Sequence, residues 1–448
     1  LAKNSLVEKV KEEEAIEQKC LEAPKYTCAL GGALSVITNI HRIIPIIHAG
    51  AGCGQNQLLS YRMSAGRQGV GYVGGVNAPS TNLSENEVVF GGEMRLREQI
   101  RGTIDIMDGD AYIVVSGCVA SMIGDDISAV TKEFAEEKYP VLSVNTSGFT
   151  GNSYTGYEAV FETIIEQLVK PQKKVTGLVN ILGIVPYQDL FWRGNLREIK
   201  GILNKLGLQV NQFVGDNSGI EGLKNISAAE LTIVLSPWVG VKTAKLIEEK
   251  FDIPFIIFNN LPVGPIDSTE FVRTVARKLK LSKSISEKLI ANEEAEAYTD
   301  LNIAGDTLAQ FAPALPYNIV AGAATAIGIT RYLTNLAGYT ATQVIINDDP
   351  PKEVRKALLK RLENLESGLQ PNVVFEVDTW KIRQHLKKSN YRVLLASSQE
   401  RYLAKADRKI FLAVTYPANN RLIVRDTYVG YSGGITLLEQ IMSKFVMP

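Results

Sequence analysis

Three of the four cysteines in this 448-residue chain stand where a thiol can do chemistry. Cys53 lies in the turn His48-Ala49-Gly50-Ala51-Gly52-Cys53-Gly54-Gln55, directly after the apolar run Ile43 to Ile47. Cys118 follows Val115-Ser116-Gly117 at the end of a β-branched run that begins at Tyr112, and Cys28 opens the helix-like run Cys28-Ala29-Leu30-Gly31-Gly32. A thiolate at a strand end and helix start is favoured by backbone N–H groups and the helix dipole. Glycines on both sides of Cys53, and Gly117 before Cys118, would let a bulky inorganic group approach the backbone closely. The arrangement suits an iron–sulfur site. Two other readings stay open: inert core thiols, and a cysteine nucleophile served by His48, five positions from Cys53 across a glycine turn. No CxxC pair decides between them.

Phosphate chemistry has weaker support. Gln55 stands where a third glycine would complete a dinucleotide loop after Gly50 and Gly52, and the literal GxGxxG at Gly69 to Gly74 follows a polar stretch instead of a strand. There is no GxxxxGK[ST] run, so nucleotide hydrolysis is not expected of this chain.

Composition narrows the partners. Lysine plus arginine and aspartate plus glutamate number 48 each, so no bulk charge draws the chain to nucleic acid or to an anionic membrane. Residues 1–20 read as a charged helical stretch, and no later run of about 18 apolar residues is long enough to span a bilayer. The expectation is a cytoplasmic chain with reduced cysteines, no nucleic-acid partner and no membrane.

The elements that must position the thiols follow one rhythm: short β-branched runs, each closed by glycine, proline or polar residues and followed by an amphipathic segment. Tyr112–Val115, Pro140–Val144, Val175–Leu182, Leu231–Leu235, Ile253–Phe258, Asn318–Ala321, Gln343–Ile346, Val393–Ala396 and Ile410–Val414 are the predicted strands. Such alternation predicts an α/β protein with parallel sheets flanked by helices, and so many strands exceed one doubly wound sheet. The polar, proline-containing stretch Lys170–Lys174 and the charged helical segment Leu281–Asp306 mark the boundaries. The expected organisation is therefore three Rossmann-like domains: 1–170 holding the cysteines, 171–305, and 306–448.

The order of motifs resembles a known family. Cys28, the His48 to Cys53 turn and Phe90-Gly91-Gly92 are followed by Gly117-Cys118-Val119-Ala120-Ser121-Met122-Ile123-Gly124-Asp125-Asp126. Thr146 to Gly151, Phe191 to Leu196, Ser236-Pro237-Trp238, Leu261 to Pro265 with Thr269 and Phe271, and Gly430 to Gly434 then fall in order. Together they look like the nitrogenase component 1 family and cover nearly the whole chain from about residue 20.

That resemblance implies an α2β2 assembly in which each αβ pair shares an iron–sulfur cluster at its interface. The cluster would be a P-cluster type [8Fe-7S] or a [4Fe-4S] centre, with Cys28, Cys53 and Cys118 as this chain's ligands. The family's α-type chain holds the substrate-reducing cofactor through a later cysteine and a histidine near the C-terminus. Here no cysteine follows Cys118 and the last histidine is His385. The resemblance therefore implies a β-type subunit with no catalytic residue of its own. It would relay electrons from an ATP-dependent iron protein to the partner's cofactor for reduction of dinitrogen, a methylthio-alkane or a related substrate such as a tetrapyrrole. The alternative implied by the same motifs is a scaffold subunit on which a nitrogenase cofactor is assembled. Gly148 stands where β-type chains can offer a serine to the cluster, with Ser147 beside it; Cys20 has no counterpart in the family pattern. Asp125 and Asp126 are expected to cap backbone N–H groups, His41 and His48 to serve packing or hydrogen bonding, and Trp192, Arg193 and Trp238 to line a cleft or pack in the core or at an interface.

Overall fold

The computed structural model describes residues 22–71, 75, 77–134, 137, 140–216, 218–311, 315–363, 365–366, 368–406 and 408–446. Cys20 and part of the Gly69–Gly74 motif lie outside them. Each of three parallel sheets comes from one continuous stretch of chain, in agreement with the α/β expectation. The first joins β1 (Ile43–His48), β2 (Ala111–Ser116) and β3 (Val141–Val144) in that order. The second joins β4 (Leu178–Leu182), β5 (Gln209–Asn211), β6 (Leu231–Val234) and β7 (Phe255–Ile257) in the order β5-β4-β6-β7. The third contains β8 (Pro316–Ala321), β9 (Thr340–Ile346), β10 (Asn372–Phe375), β11 (Val393–Ala396) and β12 (Ile410–Ala413), ordered β10-β9-β8-β11-β12.

Every position of β1 and β2 is buried, as strands covered by helices on both faces must be. Their side chains alternate: Ile43, Ile47, Ile113 and Val115 join the main core, whereas Ile44, Ile46, Tyr112 and Val114 pack with Leu96, Ile100, Val130 and Phe134 on the other side. The main core continues without interruption through Val179 of the second sheet and Val344 of the third to Ile441. Burial on both faces explains why the runs were readable as strands. The edge strands β5 and β10 were not predicted, because they are short, partly exposed and contain polar residues.

The helix Ala29–Ile37 is buried at all nine positions and crosses the helix Ser153–Gln167 at unusually close range. A Cβ on Gly32 would stand 1.9 Å from the Ser153 carbonyl oxygen, and one on Gly156 would stand 1.9 Å from that of Ala29. Only glycine allows these backbones to meet. Between the first and second sheets, residues 168–177 contain no strand or helix; Lys174 bonds the carbonyls of Ser227 and Phe251. Residue 305 falls within the helix Lys283–Phe311, so the chain passes toward the third sheet along a helix and not through a loop. No described helix is long and apolar enough to cross a membrane.

Candidate cluster site

The three sequence-predicted thiols meet at the carboxyl edge of the first sheet, the place where parallel sheets present ligand-binding residues. Cys28 is the N-cap of the helix Ala29–Ile37 and bridges backbone to backbone with Asn152. Cys53 is the first residue of the helix Cys53–Ser64, after Gly52, whose φ of 82° places it in the left-handed region that glycine favours. Cys118 opens the helix Cys118–Ile123 directly after β2. All three are free and half-buried.

Gly148 sits between two of them. Its N–H donates to the Cys118 Sγ at 3.1 Å, and a Cβ built on it would meet that sulfur at 3.1 Å and the Cys28 Cβ at 3.5 Å. Burial pushes the Cys53 thiol up, and the Cys28 and Cys118 thiols add to the shift, so the third cysteine lies within electrostatic reach of the pair. The helices that carry Cys28 and Cys53 also approach each other: a Cβ on Gly31 would clash with Thr27 and Gln57, and the Thr27 hydroxyl bonds the buried Tyr61 hydroxyl at 2.6 Å.

A second layer fixes the loops. The Gly117 N–H donates to the His48 carbonyl at 2.8 Å, joining the turn after β2 to the end of β1. The His48 ring is buried, with Nε2 2.9 Å from Asp125 Oδ2 and Nδ1 3.2 Å from Thr81 Oγ1. Asp125 also accepts from the Gly92 N–H at 2.9 Å. Burial lowers the His48 pKa although Asp125 opposes the shift. Asp126 caps the next helix by accepting from the Ala129 N–H at 2.9 Å. Asp126 thus caps its helix as expected, whereas Asp125 ties the Gly92 loop to His48; the His48–Asp125 pair escaped sequence reading because 77 residues separate its members. The resemblance placed Gly148 beside the cluster; that its own N–H reaches the Cys118 sulfur depends on how the loops meet and was not readable from the chain.

Ser147 does not take the place of the missing serine. It is fully buried, and its hydroxyl is engaged with Asn145 Oδ1 at 2.8 Å and with Ser121. Trp192 is buried in the core, and Trp238 donates through Nε1 to Asp348 at 3.0 Å across the second and third sheets.

Among the described residues, no group of three or more histidine, cysteine, aspartate or glutamate side chains is already arranged around a metal-ion position. The chemistry of the three cysteines fits an iron–sulfur cluster: the donors are soft thiols, and Gly148 leaves open the space that a side chain would fill. The same elements expose several large apolar side chains. Phe90, Met122, Met94 and Phe149 are 85%, 76%, 71% and 64% exposed on the elements that flank Cys118 and Gly148. Large apolar side chains grouped in this way mark an interaction surface.

Comparison with known proteins gives the wider context. A family profile described as nitrogenase component 1 type oxidoreductase matches residues 28–445. The nitrogenase vanadium-iron protein beta chain of Trichormus variabilis is 25% identical over 452 residues, covering 92% of this chain and 90% of that protein. The nitrogenase iron-molybdenum cofactor biosynthesis protein NifE of Bradyrhizobium diazoefficiens is 24% identical over 381 residues, 82% of this chain, and the match spans 65% of that protein, just under two thirds. A solved structure titled nitrogenase Cp1 at pH 6.5 superposes with a TM-score of 0.79 at 20% identity, over 97% of this chain and 95% of the other. That likeness shows the same fold.

Proposed function

Because the chain belongs to the nitrogenase component 1 type oxidoreductase family, we propose that it is the β-type subunit of a nitrogenase-like reductase, with Cys28, Cys53 and Cys118 holding an iron–sulfur cluster shared with an α-type partner. The observation that carries this reading is the convergence of three half-buried thiols, distant in sequence, beside an exposed apolar surface. When bound, such a cluster, [8Fe-7S] or [4Fe-4S], supplies one-electron transfer. The chain's own residues supply thiolates, a backbone N–H from Gly148 aimed at a ligand sulfur, and a rigid bed of His48, Asp125 and Gly92 beneath the loops. Hydrogen bonds to ligand sulfurs and burial are the means by which a protein sets a cluster's potential.

In this reading the assembly is a cytoplasmic α2β2 heterotetramer. An ATP-dependent iron protein delivers electrons, the partner chain holds the substrate-reducing cofactor, and this subunit contributes no catalytic residue. The three units divide near residues 170 and 305. A second reading is a scaffold subunit for cofactor assembly, favoured by the similarity to the NifE cofactor biosynthesis protein.

The test is anaerobic co-purification with the α-type partner, followed by iron and sulfide analysis and EPR. A cluster at the interface that is lost in Cys53→Ala and Cys118→Ala supports cluster binding, and a second complex metallocentre retained by the partner supports the reductase. A single interfacial cubane with a releasable cofactor selects the scaffold. Iron-free complex, or spectra unchanged by both substitutions, overturns both readings.

A further inference from the structure

A basic groove lies at the outer edge of the third sheet, where β12 pairs with β11 on one side only. It has a volume of about 750 Å³ and runs over Ile410 and Phe411 of β12, between the helices Arg401–Ala406 and Gly433–Val446. Five exposed cations border it: Arg392, Arg401, Lys405, Arg408 and Lys444. Among the described residues, no carboxylate lines the groove and none is ion-paired with these five. Asp407, between Lys405 and Arg408 in sequence, lies outside the described residues. The chain as a whole is neutral, so this concentration of one sign is local. Like charges held together repel, and an anionic neighbour relieves that repulsion.

The described chain begins close to this groove. Glu22 pairs with Arg383, its N–H donates to Asp378 Oδ2 at 2.7 Å, and the Ala23 carbonyl accepts from the Thr379 N–H at 3.0 Å. Arg383 lies within electrostatic reach of Glu400 and Tyr402, and Lys25 Nζ bonds Ser397, Gln399 and Glu400. Residues 22–25 are thus held against the turn that leads into the helix Arg401–Ala406, whose Arg401 and Lys405 face the groove.

Just upstream of this anchor, and outside the described residues, the sequence reads Glu12-Glu13-Glu14-Ala15-Ile16-Glu17. Four carboxylates and one large apolar side chain fall within six residues. An extended chain advances ~3.3 Å per residue, so Glu17 can reach about 17 Å from Glu22 and Glu12 about 33 Å.

We propose that residues 12–17 of the same chain occupy the groove, with their glutamates on its guanidinium and ammonium groups and Ile16 on Ile410, Phe411 and Phe445. Those three apolar side chains line the groove and are only partly buried, so they offer the one apolar residue of the segment a place to pack. Single exposed ion pairs contribute little, but a tethered segment presents several at an effective concentration on the order of millimolar, and they act together. The segment would then run from the cysteine-bearing unit along the third one and cover the open edge of β12. This contact is independent of what the thiols hold.

The test is zero-length carbodiimide cross-linking of the anaerobically purified full complex, which joins a carboxylate to a lysine amine only where the two touch. The expected product links a peptide containing Glu12 to Glu17 with Lys405 or Lys444 and still runs at the mass of one chain when denatured. Hydrogen exchange gives a second readout on Arg401→Ser combined with Lys405→Ser and Lys444→Ser, three exposed positions whose replacement leaves the core untouched. Amides of residues 12–17 should exchange about tenfold faster in that variant, and raising NaCl from about 0.05 M to about 0.5 M should abolish the difference. A link from the groove lysines to another chain assigns the groove to a partner or a second copy. Lysines shielded by added inorganic tripolyphosphate, with no link to residues 12–17, assign it to a phosphate ligand. Either result, no link at all, or equal exchange in the two proteins overturns the proposal. Iron content reports separately on the thiol site, so failure here is distinguishable from failure of the cluster reading.

Discussion

At Gly148 the difference between hydrogen and methyl bears directly on the thiols. A Cβ there would stand 3.1 Å from the Cys118 Sγ, closer than such a contact normally allows, and 3.5 Å from the Cys28 Cβ. Gly148→Val goes further, filling the space between the Cys118 sulfur and the Cys28 Cβ and misaligning the N–H that now reaches that sulfur. Overpacking of this kind costs about 1–3 kcal/mol. The expected outcome is a folded complex whose iron content per αβ pair falls several-fold, read by iron analysis beside circular dichroism; unchanged iron and EPR would show that the cluster does not occupy this space. The cysteines themselves were legible from sequence because each begins a helix next to glycine or a strand end. The Gly148 N–H bond to Cys118 and the His48–Asp125 pair were not, since both depend on which loops meet in three dimensions.

Elements carry the next constraint, through the helix pair that sets Cys28. A Cβ on Gly156 would lie 1.9 Å from the Ala29 carbonyl oxygen, and backbone cannot swing aside as a side chain can. Gly156→Ala must therefore separate the helices Ala29–Ile37 and Ser153–Gln167, displacing the N-terminus that presents Cys28. We expect a loss of about 3 kcal/mol or more, accompanied by reduced iron content. Gly201→Ala supplies the contrast: it lies in the helix Trp192–Lys205 with open space around its Cβ position, and alanine should stabilise that helix by about 1 kcal/mol. Thermal unfolding of the two variants should shift in opposite directions; a Gly156→Ala protein as stable as the unsubstituted one would dismiss the close crossing. Buried strands such as β1 and β2 announced themselves by unbroken apolar runs, but glycine packing has no comparable sequence signal. Gly32 and Gly156 are 124 positions apart in the chain, and nothing local pairs them.

At the scale of the whole molecule, one buried ion pair ties the cysteine-bearing segment to the far end of the chain. Lys25, three residues before Cys28, places its Nζ 2.7 Å from Glu400 Oε1, 3.0 Å from Ser397 Oγ and 2.9 Å from Gln399 Oε1, and neither charged side chain is exposed. Its carbonyl accepts from Gln188 Nε2 at 2.7 Å, so the same residue touches the loop after β4 as well. Burial lowers the Lys25 pKa while Glu400 acts against the shift, as expected for an ammonium taken out of water beside a hydrogen-bonded carboxylate. A buried pair adds little over an apolar replacement, yet removing one partner strands the other charge. Lys25→Met should therefore cost about 3–5 kcal/mol by leaving Glu400 buried and unpaired. Lys25→Met combined with Glu400→Gln should recover most of that loss, because glutamine keeps an acceptor for Ser397 without a charge. Urea unfolding of the two variants separates the alternatives: a double variant no more stable than the single one would mean that the lysine acts by packing, and that the charge pair is not what holds the two ends of the chain together.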